Sequence, residues 1–247
     1  MNVDVVIPTK GEWTLPYCVD ALKKNVNLNR LIFVAPQSSL NRIKGYADQV
    51  IVFNDKNVGK ARAIGLEQVE TPYYASIDSD VLVTKEWFDW CIKTIQSHND
   101  IAACQGYARN ISGTYRKLQR TYILHGGKYG EGFCCLGNTM LKTDVIRKVG
   151  MPTIRVEEDW QLRLKLEARG YKWVSNLNIV CPHLRNDVDM WKHAVWWGKM
   201  GGDVPLTRCL IRIPYYLTFG AKQRKMCENL FLVSLQLHLI YGKLLGA

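Results

Sequence analysis

The sequence predicts an α/β fold, a mostly parallel sheet flanked by helices, with a C-terminal helical amphipathic appendage. Three observations carry this expectation. Short apolar, β-branched runs alternate with segments of helical periodicity, the pattern of strand–helix–strand units. Thr9, Asp55, Asp78 and Asp80 fall where those runs stop, and parallel sheets bind ligands at the carboxyl ends of their strands. Hydrophobic content is 47% over 247 residues, enough for one large domain with an appendage.

Taken in order, Val3 to Thr9 reads as a strand ending in Ile7-Pro8-Thr9. Glu12 to Lys24 is helical, with Leu15, Val19, Ala21 and Leu22 apolar. Leu31 to Ala35 is a second strand, Leu40 to Ala47 a short helix, and Gln49 to Phe53 a third strand. Asn57-Val58-Gly59 is a turn before a helix over Lys60 to Gln68. Pro72 opens the central strand at Tyr73, which ends in the two carboxylates of Asp78-Ser79-Asp80 and is followed by the apolar Val81, Leu82 and Val83. Thr84 can cap the next helix, where Trp87, Phe88, Cys91, Ile92 and Ile95 share one face. Further on, Glu157-Glu158-Asp159 precedes an amphipathic helix, and Trp173 to Val180 is a strand. The expected division is a catalytic domain over 1–190 and a helical segment over 191–247.

The net charge is +11, which calls for an acidic partner: nucleic acid, anionic lipid or a phosphorylated substrate. Trp191 to Ala247 hold eight Lys/Arg against two Asp/Glu, so +6 of that charge lies at one end. Ile101 to Gly130 has no acidic residue and five Lys/Arg, interleaved with Tyr107, Tyr115, Tyr122 and Tyr129. That suits a single-stranded nucleic-acid surface, anionic lipid, an acceptor phosphate, or simply a solvated loop and helix. None of the eight cysteines forms C-x-x-C, and they read as reduced core residues of a cytoplasmic protein. A strand at the very start leaves no signal peptide in this reading.

Side chains alternate faces along a strand, so the two carboxylates of Asp78-Ser79-Asp80 converge only if the strand stops and turns there. Converged hard oxygens suit Mg2+ or Mn2+, whose remaining ligands come from phosphate and water. An ordinary surface turn is the alternative. Lys60 and Arg62 lie at a helix N-terminus, an anion site or a solvated face. The acidic trio at 157–159 is likewise an ordinary partner of a helix dipole.

In this order and spacing the motifs resemble glycosyltransferase family 2. The resemblance rests on Ile7-Pro8-Thr9, on Asn57-Val58-Gly59-Lys60-Ala61-Arg62-Ala63-Ile64-Gly65, and on Asp78-Ser79-Asp80. It continues through the small-residue segment Gly132 to Met140 and Glu158-Asp159-Trp160-Gln161-Leu162 up to Gly170-Tyr171, with Lys165 where the family has Arg. It covers residues 3 to 200 and implies the GT-A fold and an inverting, metal-dependent hexosyltransferase using a nucleotide-sugar donor. It implies donor contacts from Pro8, Thr9, Glu12, Gln37, Asn57, Lys60, Arg62, Asp78 and Ser79, and acceptor contacts from Gly137, Asn138 and Trp160. Asp80, with Asp78 and His183, would hold Mn2+ or Mg2+. Asp159 would be the general base, with Glu158 beside it. If the acceptor is already a phosphate anion, Asp159 would only orient it.

One departure bears on the donor. The family's second strand commonly ends in V-D-D-G-S, whose acid contacts the base; here it is Val34-Ala35-Pro36-Gln37-Ser38-Ser39. Gln37 offers an amide instead, and GDP-mannose is placed ahead of UDP-sugars. The segment Trp191 to Lys199 is aromatic and basic, and the end of that segment resembles a family motif beside the donor diphosphate. Apolar runs follow at Leu210 to Phe219 and Leu230 to Leu245, the latter interrupted by Ser234, Gln236, His238 and Lys243. They suit a helix lying in a membrane interface better than a span. The expected partners are therefore a polyprenyl-linked or other membrane acceptor and an anionic membrane surface at the cytoplasmic face, with a soluble cytoplasmic enzyme as the alternative. Nucleic-acid binding and nucleotidyl transfer are the competing classes; ordered carboxylates disfavour the first, and the Glu158-Asp159 helix disfavours the second.

Overall fold

The computed structural model describes residues 1–118, 134–200, 206–217 and 226–246. The chain forms two compact units: Met1–Arg109 with Leu124–Leu184, and Asn110–Ile123 with Arg185–Ala247. Within the second unit, residues 187–199 form one helix, which packs on the C-terminal helix.

The first unit contains β1 (Val3–Pro8), α1 (Leu15–Asn25), β2 (Leu28–Ala35), α2 (Leu40–Ile43), β3 (Gln49–Val52) and α3 (Val58–Glu67). Then come β4 (Tyr73–Ile77), α4 (Lys85–Ser97), β5 (Ile101–Asn110), β6 (Asn138–Lys142), α5 (Thr143–Val149), α6 (Glu158–Glu167) and β7 (Lys172–His183). The seven-stranded sheet has the order β3-β2-β1-β4-β6-β5-β7. Strands β1, β2, β3 and β4 pair in parallel, and β6 runs antiparallel to both β4 and β5. This is the mixed, mostly parallel sheet of the GT-A fold.

Alternation along β1 builds two cores. Val5 and Ile7 face a cluster with Leu15 and Leu22 of α1 and Trp87 of α4. Val6 faces the opposite cluster, with Leu66 of α3 and Leu162 and Leu166 of α6. A strand covered on both faces reads as a continuous apolar run. Thr84 caps α4 as expected, its side chain accepting from Trp87 N. Strand β4 ends at Ile77 and the chain turns at Asp78, where the sequence puts the carboxylates that close the strand; Val81 and Val83 still reach the core.

The clearest difference is at Ile101 to Gly130. Its first ten residues are β5, buried along almost their whole length, and Tyr107 is 1% exposed. A run of small and apolar residues fits an inner strand, so Tyr107 has no face to offer to a base, whereas Arg116 and Lys117 beyond the strand are exposed. Tyr122 and Tyr129 lie outside the described residues. So do Gly132, Phe133, Phe219, Lys222, Arg224 and Lys225.

The opposite edge of the sheet is tied by Asp4, fully buried on β1. Its carboxylate accepts from Asn29 Nδ2 (2.8 Å), Arg30 Nη2 (3.1 Å) and Glu70 N (2.7 Å). Burial pushes its pKa up, but the hydrogen bonds from Arg30, Glu70 and Asn29 outweigh that and hold it below 3.8. The resulting stabilisation is present above 3.8 and lost as pH falls through the lowered value.

The second unit holds α7 (Asp187–Lys199), α8 (Leu206–Leu217) and α9 (Met226–Gly246). Asn186 caps α7 in a capping box with Asp189. The Asp187 carboxylate accepts from Thr114 N (2.7 Å) and Tyr115 N (2.9 Å). Leu118, Phe231 and Leu232 form its core, with Tyr115, Met190 and Trp191 against them.

Asp4→Ala is expected to destabilise the fold by about 3 kcal/mol. The deficit should be largest near neutral pH and shrink toward pH 3, as urea unfolding at the two pH values would show.

Candidate active site

The site is built at the carboxyl edge of β1 and β4. Hydrogen bonds fix the turn after β4: Asp78 N donates to Gly137 O (3.0 Å) and Val81 N to Asp78 O (3.1 Å). A side chain at Gly137 would run into the Asp78 carboxylate, with a Cβ only 2.7 Å from Oδ2. Glycine is needed there for this close approach. On the β1 side, Glu12 Oε2 accepts from Thr9 Oγ1 (2.7 Å), Lys10 N (3.0 Å) and Ser79 Oγ (3.0 Å). Glu12 thus joins the loop after β1 to the Asp-Ser-Asp turn.

Beneath the turn lies Arg62. The sequence puts it among donor-facing residues, but its guanidinium turns inward and is buried. It donates to Asp78 Oδ1 (2.6 Å), to Ser76 Oγ (3.2 Å) and to Glu158 Oε1. Its helix makes room for this with small residues, Gly59, Ala61, Ala63 and Gly65, around it. Lys60 stays exposed, 3.8 Å from Asp55. Asn57 caps α3 through Lys60 N (3.0 Å) and donates to Thr153 O (2.8 Å).

Helix α6 brings the second acidic group. The residue before it, Glu157, has a left-handed backbone, φ 65°, the sole non-glycine positive φ among the described residues. That conformation costs roughly 1–2 kcal/mol for a residue with a Cβ, and it turns Glu158 toward Arg62. Burial pushes the Glu158 carboxyl above its ordinary range, against the attraction of Arg62. Asp159 follows, half-buried, with Oδ1 accepting from Trp160 N at 2.7 Å. Burial, and then repulsion from Glu158, push its pKa up to about 7.

A third component comes from the end of β7. Val81 bridges His183 in antiparallel fashion, and Leu184 N donates to Asp80 O at 2.7 Å. These bonds set His183 Nε2 3.1 Å from Asp80 Oδ1, both side chains largely buried. A carboxylate oxygen and an imidazole nitrogen this close fit a divalent cation such as Mn2+. Among the described residues no three His, Cys, Asp or Glu side chains converge on such an ion. Asp80 and His183 would supply part of a shell, and Asp78 Oδ1 is committed to Arg62.

The remaining expected residues divide. Pro8 closes β1, and Gln37 follows β2, its backbone N donating to Asn54 Oδ1 at 3.0 Å. Trp160 is partly exposed beside Asp159, with the Arg163 guanidinium 5.9 Å from its ring. Asn138 is fully buried at the start of β6, where its carbonyl accepts from Trp87 Nε1 (2.9 Å), so it has no surface to offer an acceptor. Lys165, in the family's Arg position, donates to Gly150 O at 3.2 Å. The six cysteines whose side chains are described are free.

The family model for glycosyl transferase family 2 matches residues 4–150. The chain belongs to glycosyl transferase family 2. This glycosyltransferase resembles the mannosyltransferase PcManGT from Pyrobaculum calidifontis, solved with GDP-Man and Mn2+: 12% identity, TM-score 0.69, 99% of this chain and 86% of that one. It also resembles glucosyl-3-phosphoglycerate synthase from Mycobacterium tuberculosis, solved with Mn2+, UDP-Glc and phosphoglyceric acid. That match has 16% identity and a TM-score of 0.56, over 76% of this chain and 73% of that one. S. aureus TarS, residues 1–349, matches at 12% identity and a TM-score of 0.54, over 98% and 81% of the two chains. At such identities these likenesses establish the fold. No curated protein sequence matches.

Arg62→Met leaves Glu158 and Asp78 without their cation. It should lower stability by about 3–5 kcal/mol at pH 8. The loss should shrink as pH falls, because burial favours the protonated form of Glu158, and urea denaturation at pH 8 and at lower pH measures the difference.

Proposed function

We propose that this glycosyltransferase is a metal-dependent, inverting hexosyltransferase that moves a sugar from a nucleotide diphosphate to a lipid-linked acceptor. One observation carries the reading: Asp159, with a pKa of about 7, lies in the same charge cluster as Asp78 and Arg62 at the carboxyl edge of the sheet. A carboxyl with a pKa near neutrality is matched to general-base work. Asp159 in its ionised form takes the proton of an acceptor hydroxyl as that oxygen attacks the anomeric carbon. The glycosidic bond breaks on the opposite face, and the diphosphate leaves with the electron pair. A single displacement of this kind inverts the anomeric centre.

Asp80 and His183 would hold Mn2+ or Mg2+, which supplies positive charge for the diphosphate as the bond breaks. Thr9, Glu12 and Ser79 would form the wall of the donor site, because one carboxylate holds both loops. Gln37 would meet the base through its amide. GDP-mannose is the first choice of donor and UDP-sugars the second. The missing acid after β2 supports that order, as does the GDP-Man of the Pyrobaculum mannosyltransferase. A lipid-linked acceptor is supported by the basic, aromatic C-terminal segment.

Asp159→Asn keeps the shape and loses the base, so turnover should fall about 10²–10⁴-fold with donor binding retained. In the unsubstituted enzyme kcat should climb tenfold per pH unit below about 7 and level off above it, because the base works only after losing its proton. A decrease of less than tenfold in the variant removes Asp159 as the base. Asp80→Ala and His183→Ala should each weaken Mn2+-dependent GDP binding at least tenfold, read by calorimetry with UDP as competitor. A clear preference for UDP reverses the donor order.

A further inference from the structure

The second unit presents an apolar helix face to solvent. On α9 the amide side chains of Asn229 and Gln236 are buried, whereas Leu230, Leu237, Tyr241 and Leu244 are 53%, 52%, 56% and 66% exposed. Their spacing places all four on one side of the helix. The inner side of the helix is apolar too, with Phe231, Leu232 and Leu239 buried, so α9 carries large apolar residues on both sides.

Beside this face runs a groove of about 460 Å³ between α7 and α9. Val188, Trp191, Val195 and Trp196 line it, and His238 closes it from α9. Trp191 stacks on the His238 ring at 5.6 Å, with 9° between the planes. His238 lies three residues before Tyr241, so groove and leucine face adjoin. The two helices hold a fixed relation because they meet backbone to backbone. A Cβ on Gly198 would strike Leu239 O, and one on Gly242 would strike Val195 O.

The charges around the groove have one sign. Lys192 and Lys199 are exposed along it. The acids of α7 are engaged elsewhere: Asp187 with the amides of Thr114 and Tyr115, and Asp189 with Asn186 N in the capping box. Glu228 lies ten residues before His238 on α9.

We propose that this face docks on an anionic lipid bilayer. Leu237, Tyr241 and Leu244 enter the acyl boundary, Trp191 and Trp196 sit at the level where amphipathic rings prefer to lie, and Lys192 and Lys199 meet headgroup phosphates. A second copy of the chain is a poorer occupant, because a two-fold contact sets the same lysine rim against itself. Among the described residues no helix is long and apolar enough to cross a membrane, so the contact is interfacial. The surface deepens the lipid-linked acceptor of the proposed function, but its test does not depend on transfer.

The test is flotation of the full chain with vesicles of phosphatidylcholine alone and with phosphatidylserine added. The chain should float with the anionic vesicles and be released by high salt. Lys192→Glu and Lys199→Glu should each weaken binding about fivefold or more. Leu237→Asn/Leu244→Asn should weaken it at least tenfold, with circular dichroism confirming that these surface variants fold. The proposal fails if the chain stays in the pellet with anionic vesicles, or if folded variants bind as well as the original. It also fails if light scattering finds a dimer that Leu237→Asn/Leu244→Asn dissolves while no flotation occurs. Calorimetry with GDP and Mn2+ on the unsubstituted chain reads the transferase assignment separately, so either reading can fail alone.

Discussion

One buried guanidinium organises the catalytic edge of this glycosyltransferase. Arg62 bonds Asp78 of the turn after β4 and Glu158 at the start of α6. Those two elements come from distant parts of the chain, and neither carboxylate could be buried beside the other without a shared cation. The single positive charge meets three acids: Asp78, Glu158 and, at longer range, Asp159. Burial, and then repulsion from Glu158, push the Asp159 carboxyl up to about 7, while its Oδ1 accepts from Trp160 N. Arg62, itself buried, holds the two acids that it bonds in place.

Much of this was legible in the sequence. Strands β1 to β4 and the Thr84 cap follow from local pattern, since each is decided by neighbours within one element. The carboxylates at 78, 80, 158 and 159 were also readable as a set, because acidic residues at strand ends and helix starts stand out from an apolar background. Pairings that span the chain were not readable. Nothing local indicates that Arg62 turns inward; only the small residues around it, Ala61, Ala63 and Gly65, hint at a crowded helix face. Strand β5 was missed because small residues and a glutamine weaken its periodicity. Its burial comes from sitting between β6 and β7. Gln105 survives there because its carbonyl accepts from Cys135 N and Trp173 Nε1.

The closeness of His183 to Asp80 has a similar origin. A lone histidine after a strand says little by itself. Its position is set by the backbone bonds between the end of β7 and the turn after β4, Leu82 N to Pro182 O and Leu184 N to Asp80 O. The last strand of the first unit is stitched here to the turn after the fourth, and the side chains follow the backbone.

Strand β6 runs against β4, so its first residues, not its last, arrive at the catalytic edge. The segment entering β6 meets Asp78 at Gly137, while β1 and β4 reach the same place by their ends. The two sides of the site are thus delivered by chain running in opposite senses. Residues just before β6 can therefore vary without altering the register in which β1 to β4 pair, except at Gly137, where the close approach of Asp78 leaves no room for a side chain.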